Sequence, residues 1–361
     1  MAFLTSSGFD AAGFGATADL IASSGWFKTD GQLTDDINWH ATDGKFGGGC
    51  LKIIANSTDG TMTKRFPAFT TEFFRLAFYV YIPSGYTCSS QGLVWFTDAA
   101  QTTFLNMYVN SSGFLTVGDT FGSKSVAGAT GTVDIQDDAW HHIEVEFTRD
   151  ASAGAVKMWV DGTLDINVSG TNTGSLTLIG LDTIHLSNSR SSGGVVDYVR
   201  FDDVVLWDDS GTDGFTGQIG AHRIYGLTVD GAGASTQFTP SAGSNYLNVD
   251  EASVDLGTTY NESATSGHKD LYTVTTMGSI AAQPATDVWG VVVKTCARAT
   301  NVGGVSIKNV ISDGTTEVQS AAKALTIAHA EHEFCLPYDP GTGAVWVDTD
   351  IADVQIGLEV V

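Results

Sequence analysis

The side chains with the sharpest chemical potential in this chain are carboxylates. Glu144 and Glu146 stand two residues apart in His142-Ile143-Glu144-Val145-Glu146-Phe147-Thr148, a spacing that puts both on one face of an extended strand. Two carboxylates across a sugar can act as acid and nucleophile in glycoside cleavage. The same alternation also describes a solvated strand face, and that is the expectation for this pair. A second acidic group, Asp202, Asp203, Asp208, Asp209 and Asp213, offers the hard oxygen ligands that calcium prefers. Its surroundings are rich in turn formers, so the aspartates also read as turn residues and solubilising charge.

His329-Ala330-Glu331-His332 has metal-ligand residue types, but side chains three apart on an extended chain face opposite ways. No transition metal is expected there. Cys50, Cys88, Cys296 and Cys335 are widely separated and form no Cys-x-x-Cys pair, which removes a zinc ribbon or a thioredoxin-like site. They read as small buried hydrophobes, with a disulfide between two of them in one sheet as the alternative. The chain contains no Gly-x-Ser-x-Gly, no Gly-x-x-x-x-Gly-Lys-Ser/Thr and no His-Glu-x-x-His. Calcium is therefore the one cofactor with a claim.

Flat rings can pack against the CH faces of a sugar, and Tyr79, Tyr81, Tyr86, Trp95 and Tyr108 are concentrated in one stretch. Strand alternation supplies the competing reading, in which Tyr79 and Tyr81 share a face with Phe73 and pack a sandwich core. Trp140 and Trp159 are likewise expected to be buried.

The elements that must position these residues are strands. Runs rich in Val, Ile, Phe, Tyr and Thr recur between clusters of Gly, Asn, Asp and Ser, as at 75–82, 93–96, 104–110, 142–148, 156–160, 199–207 and 289–295. Asp161-Gly162 supplies the residue types of a tight hairpin after the run at 156–160. Helix is expected only as a short turn over 17–23, with Thr17 as its cap. The segment 317–333 has helical propensity, yet alternation from Leu325 to Phe334 predicts a strand.

Length and charge set the remaining bounds. The 361 residues suggest two domains, and 10% aromatic with 16% charged residues indicates packed cores. A turn-rich stretch after Trp207 places the boundary: a first domain over 1–209, a linker over 210–220 and a second domain over 221–361. A net charge of −24 repels phosphate backbones and anionic headgroups, so neither nucleic acid nor membrane is an expected partner. No basic or long apolar segment opens the chain, so no secretion signal is expected.

The string Asp138-Ala139-Trp140-His141-His142-Ile143-Glu144-Val145-Glu146-Phe147-Thr148-Arg149-Asp150, with Val156 to Gly162, resembles the paired strands of laminin-G-like, concanavalin A-like jelly rolls. Val199 to Trp207 resembles the closing strand of such domains, and Phe46 to Leu51 their Gly-rich strand entry. The second half is similar to the back half of tailed-phage structural proteins in Asn248 to Glu251, Thr258 to Tyr260, Gly267 to Tyr272, Asp339 to Trp346 and Val354 to Gly357.

The resemblance implies an all-β chain, a concanavalin A-like jelly-roll sandwich followed by a second, smaller β-sandwich. It further implies a non-enzymatic virion protein made in the host cytoplasm, in the tail or a host-facing appendage. Such a protein assembles with other virion proteins and with itself as a homo-oligomer, and contacts host surface glycan. Capsid-surface decoration and a carbohydrate-binding module are the alternatives, with a polysaccharide-cleaving enzyme behind them. Jelly-roll glycosidases carry a Glu-x-Asp-x-x-Glu spacing, and the segment from Glu144 lacks its Asp and its last Glu.

Overall fold

The computed structural model describes residues 3–7, 26–28, 37–55, 60–86, 92–100, 102–120, 124–174, 180–188, 197–208, 217–251, 257–275 and 288–361. The expected turn over 17–23, Cys88, Asp209 and Asp213 lie outside the described residues. Two compact units divide the chain, with the boundary between Ile224 and Tyr225. That is a few residues beyond the expected linker, because residues 217–224 belong to the first unit. Among the described residues no α-helix occurs, and no helix is long and apolar enough to cross a membrane.

Strands of the first unit are β1 (Phe3–Ser7), β2 (Trp26–Lys28), β3 (Ile37–His40), β4 (Cys50–Ala55), β5 (Gly60–Arg65), β6 (Phe73–Tyr81), β7 (Gly92–Asp98), β8 (Thr103–Val109), β9 (Phe114–Thr120), β10 (Lys124–Asp134), β11 (Trp140–Thr148), β12 (Gly154–Val160), β13 (Thr163–Thr171), β14 (Leu181–Asn188) and β15 (Asp197–Asp208). They form a jelly-roll sandwich of two antiparallel sheets. Sheet A runs β13-β12-β11-β6-β15-β4-β3, with β1 also on β15, and sheet B runs β10-β9-β8-β7-β14-β5-β2.

The core lies between the sheets and follows from alternation. In β6 the side chains of Phe74, Leu76, Phe78 and Val80 point inward, as do Ile143, Val145 and Phe147 of β11 and Phe96, Leu105, Met107, Ile184 and Leu186 of sheet B. Phe74 meets Phe96 across the sandwich with ring centroids 5.0 Å apart. Burying one large apolar side chain of this kind contributes about 1.5–3 kcal/mol. The β12–β13 hairpin turns at Asp161 (φ 50°) and Gly162 (φ 78°), the two positive-φ positions that the Asp-Gly pair accepts. A bulge in β15 at Asp202–Asp203, with Asp203 at φ 46°, resets the alternation so that Val204 and Leu206 return to the core.

The second unit contains β16 (Val229–Thr236), β17 (Thr239–Pro240), β18 (Asn261–Glu262), β19 (Lys269–Val274), β20 (Val291–Ala297), β21 (Ser306–Ser312), β22 (Glu317–Gln319), β23 (Lys323–Ala324), β24 (Ala330–Leu336) and β25 (Gln355–Val360). One sheet runs β16-β19-β25-β21-β22, with β23 on β21, and β20 pairs with β24 in a ribbon. Val293 and Leu336 of the ribbon pack with Val274, Ile311, Ile351 and Val354 around the fully buried Trp346. Its indole N–H donates to the Leu336 carbonyl at 2.9 Å. Residues 317–336 form strands, not a helix, but the last of them opens at Ala330 and Leu325 to Ile327 lie outside it. The Leu325 N–H is taken up by the Val305 carbonyl instead.

Candidate functional site

The outward positions of sheet B form an unusual surface for a strand face. Thr61, Thr63, Thr97, Thr116, Thr183, His185 and Ser187 are all polar and all buried. They arise from the same alternation that sends Met62, Val94, Phe96, Ile184 and Leu186 inward. His185 sits at the centre, with Nδ1 3.0 Å from the Thr63 hydroxyl and Nε2 2.9 Å from the Thr97 hydroxyl. In a neutral imidazole one nitrogen donates and the other accepts, and two hydroxyls satisfy both roles. Burial holds His185 in that neutral form and brings its pKa down to about 4.

The indole of Trp95 stacks on the His185 ring, centroids 5.0 Å apart and planes within 9°. Trp95 pairs across the sheet with Asn106, and Asn106 pairs on its other side with Gly118. Tyr108, two residues on from Asn106, shares its face and lies opposite Gly92. Trp95 and Tyr108 are half-buried, so each keeps part of a ring open to solvent. Asn106 is fully buried, and neither its amide nitrogen nor its amide oxygen has a hydrogen-bond partner. Gly92 is required beside it: a Cβ there would come within 2.5 Å of the Asn106 amide oxygen.

Only part of the expected aromatic cluster gathers here. Trp95 and Tyr108 lie on sheet B, whereas Tyr79 and Tyr81 lie on the outer face of sheet A. The reading that placed those two tyrosines in the sandwich core is corrected by β6, whose inward residues are the even-numbered ones. Tyr79 is buried nonetheless, against Phe46, His142 and His222, and burial pushes its hydroxyl up to about 12. It presents no free ring to a sugar. Tyr86 packs beside the core and donates its hydroxyl to the Asn188 side chain. Trp140 and Trp159, expected to be buried, are outward residues of β11 and β12 and are only half-buried.

The carboxylate pair also departs from expectation. Glu146 is tied to Arg75 and Lys157, at 2.8 Å each. Glu144 is not solvated but 1% exposed, because residues 217–222 cross the outer face of sheet A above it. Its two oxygens accept the backbone N–H groups of Ile219 at 2.9 Å and Gly220 at 3.0 Å. Beside this clasp His142 Nε2 lies 3.3 Å from His222 Nδ1, and His222 Nε2 lies 2.7 Å from the Asp203 carbonyl. Sequence reasoning missed His222 and residues 217–222, since no local signal marks a segment that returns to a strand 75 residues earlier.

Among the proposed calcium ligands, Asp202, Asp203 and Asp208 are buried strand residues of β15 and not exposed turn formers. Asp202 accepts the backbone N–H groups of Lys45 and Asp203, Asp203 that of Ile224, and Asp208 the Thr70 hydroxyl. Among the described residues no three His, Cys, Asp or Glu side chains converge as a metal site. Cys50 is a buried free thiol, pushed up to about 12 by burial, while Cys296 and Cys335 are only half-buried.

No family model matches the chain, and no curated protein matches it. Among solved structures, the chain is similar to alginate lyase Aly36B at 12% identity, with a TM-score of 0.39 over 57% of this chain and 97% of that chain. It is similar to the carbohydrate binding module CBM66 from Bacillus subtilis at 14% identity, with a TM-score of 0.33 over 51% of this chain and 96% of that chain. A third similarity is to domain 4 of AbnA, an extracellular arabinanase from Geobacillus stearothermophilus, at 16% identity, with a TM-score of 0.35 over 57% of this chain and 94% of that chain.

Proposed function

We propose that the first unit binds a glycan on the outer face of sheet B without cleaving it. The observation that carries this reading is Asn106. A buried amide with neither end paired costs about 1–3 kcal/mol relative to a satisfied one. A sugar hydroxyl is donor and acceptor at once and suits both ends of that amide, which a ligand reaches by displacing the groups that now bury it. The half-buried rings of Trp95, across the sheet from it, and Tyr108, two residues along its own strand, supply apolar surface for the ring carbons. Binding rather than catalysis is supported by His185, whose two nitrogens are already engaged and whose pKa lies well below neutrality. Glu144 is likewise committed to backbone N–H groups.

The resemblance of the second half to tailed-phage structural proteins supports a host-facing virion appendage as the setting for such a unit. Mass spectrometry of purified particles tests that setting.

A glycan array probed with the full chain tests the binding. Wild type retains a defined set of glycans, and Trp95→Ala and Asn106→Ala each lose them by tenfold or more. Circular dichroism verifies the folding of Asn106→Ala, which removes an unpaired buried group but leaves a cavity in its place. An array on which wild type binds nothing, or on which both variants bind as wild type does, refutes the proposal. Release of reducing ends or unsaturated sugars from a bound glycan refutes its non-catalytic part.

A further inference from the structure

The outer face of sheet A carries a second surface, one with the opposite chemistry. Lys52 of β4, Arg200 of β15, Tyr81 of β6 and Trp140 of β11 are cross-strand partners in succession, so they form one row over four adjacent strands. At about 4.8 Å per strand the row is about 14 Å long. All four side chains are half-buried. The Arg200 guanidinium lies 4.8 Å from the centroid of the Tyr81 ring and 4.7 Å from that of Tyr198, two rings that are parallel within 2°. Lys52 Nζ lies 4.3 Å over Tyr198, and Trp140 meets Tyr81 edge-on at 5.8 Å.

Two features of this row need an explanation. Like charges directly opposite each other on adjacent strands destabilise a sheet, yet Lys52 and Arg200 are such a pair. They also stand together in a chain with 17 basic and 41 acidic residues. Arg200 has one carboxylate, Asp43, at 2.8 Å, which His40 shares at 3.0 Å. The Arg200 Nε is buried without a hydrogen-bond partner. Among the described residues Lys52 makes no ion pair within 4 Å, and the carboxylate that acts on its charge is the same Asp43. Asp138, whose side chain accepts the Ser84 N–H, is the other acid at the Tyr81 end. An anion between Lys52 and Arg200 would offset their like-charge opposition, and Tyr81 and Trp140, both half-buried, stand beside that position in the same row.

We propose that this row binds an acidic polysaccharide, with its carboxylate or sulfate between Lys52 and Arg200 and its sugar ring against Tyr81 and Trp140. Arginine and lysine divide the work by their chemistry: a guanidinium already packed against two rings offers fixed donors, whereas the ammonium acts as a point charge. This site is on the opposite sheet from Asn106 and does not rest on the reading proposed for it.

Isothermal titration with an unsulfated oligouronate, a sulfated oligosaccharide and a neutral dextran fragment distinguishes the two acid sources from uncharged sugar. Wild type binds at least one of the acidic probes, more weakly as NaCl is raised, and binds dextran at least tenfold less well. Lys52→Gln and Trp140→Ala each weaken the acidic probe by about tenfold, and Asn106→Ala leaves it unchanged. Both first variants change half-exposed side chains, and circular dichroism verifies their folding; Lys52→Met provides a second uncharged variant. Equal binding of dextran, failure to bind either acidic probe, or wild-type affinity in Lys52→Gln and Lys52→Met overturns the proposal. Loss of acidic-probe binding in Asn106→Ala also overturns it, because the ligand would then belong to sheet B.

Discussion

Glu144 and Gly220 are 76 residues apart, yet the Glu144 carboxylate accepts the Gly220 N–H at 3.0 Å, and its other oxygen accepts that of Ile219 at 2.9 Å. A strand carboxylate thereby fastens residues 217–222 over sheet A, and His142 and Tyr79 are buried as a result.

Replacing Glu144 with Ala should therefore loosen this segment first. Hydrogen bonds to a charged acceptor contribute about 1.5–3 kcal/mol each, so the two together make a loss of about 3 kcal/mol the expected result after relaxation. Hydrogen exchange should accelerate at Ile219 and Gly220 before it does in the Phe74–Phe96 core. Unchanged protection of those two amides would contradict the clasp.

Acid should weaken the first unit through two histidines. His142 is brought from 6.5 to about 4 by burial and by the facing His222, and His185 from 6.5 to about 4 by burial alone. Above pH 6.5 each is neutral folded or unfolded. Between 6.5 and 4 only the unfolded chain takes up the proton, so stability falls with pH, and below 4 the loss is complete. Each site accounts for about 3 kcal/mol at most. Glu144 opposes this trend, because burial raises its pKa and the folded state holds its proton more readily. Denaturant titrations from pH 7 to 4 should show a net decline that Glu144→Gln steepens and His185→Phe reduces; a flat profile would count against the burial of these rings.

In the second unit Asp270 should resist even its isosteric replacement. This fully buried carboxylate accepts the Gln237 and Phe238 N–H groups at 2.6 and 2.8 Å, the Asn245 amide at 2.5 Å and the Tyr272 hydroxyl at 2.9 Å. Four donors converge on its two oxygens. Asp270→Asn turns an NH₂ toward some of them, and the expected cost is about 3 kcal/mol. Chemical denaturation checks it, and a midpoint equal to wild type would show that the donors find other partners.

What the sequence determined by itself was the all-β class, several of the strands and the Asp161-Gly162 hairpin. These depend on neighbours along the chain: period-2 alternation sorts Ile143, Val145 and Phe147 from Glu144 and Glu146, and Asp-Gly accepts positive φ wherever it occurs. Which face of a strand is the inner one is a different matter. Tyr79 and Phe78 alternate equally well either way, and only the opposing sheet made the Phe78 side the core. The tertiary structure also decided what covers an outward face. Glu144 reads as exposed until a segment from beyond residue 216 lies over it, and Asp202 and Asp203 read as turn residues until a bulge places them inside β15. Asn106 had no signal at all, since an unpaired amide is a property of what surrounds it. Local pattern fixes which side chains share a face, whereas long-range packing fixes the dielectric and the hydrogen-bond partners that give each face its chemistry.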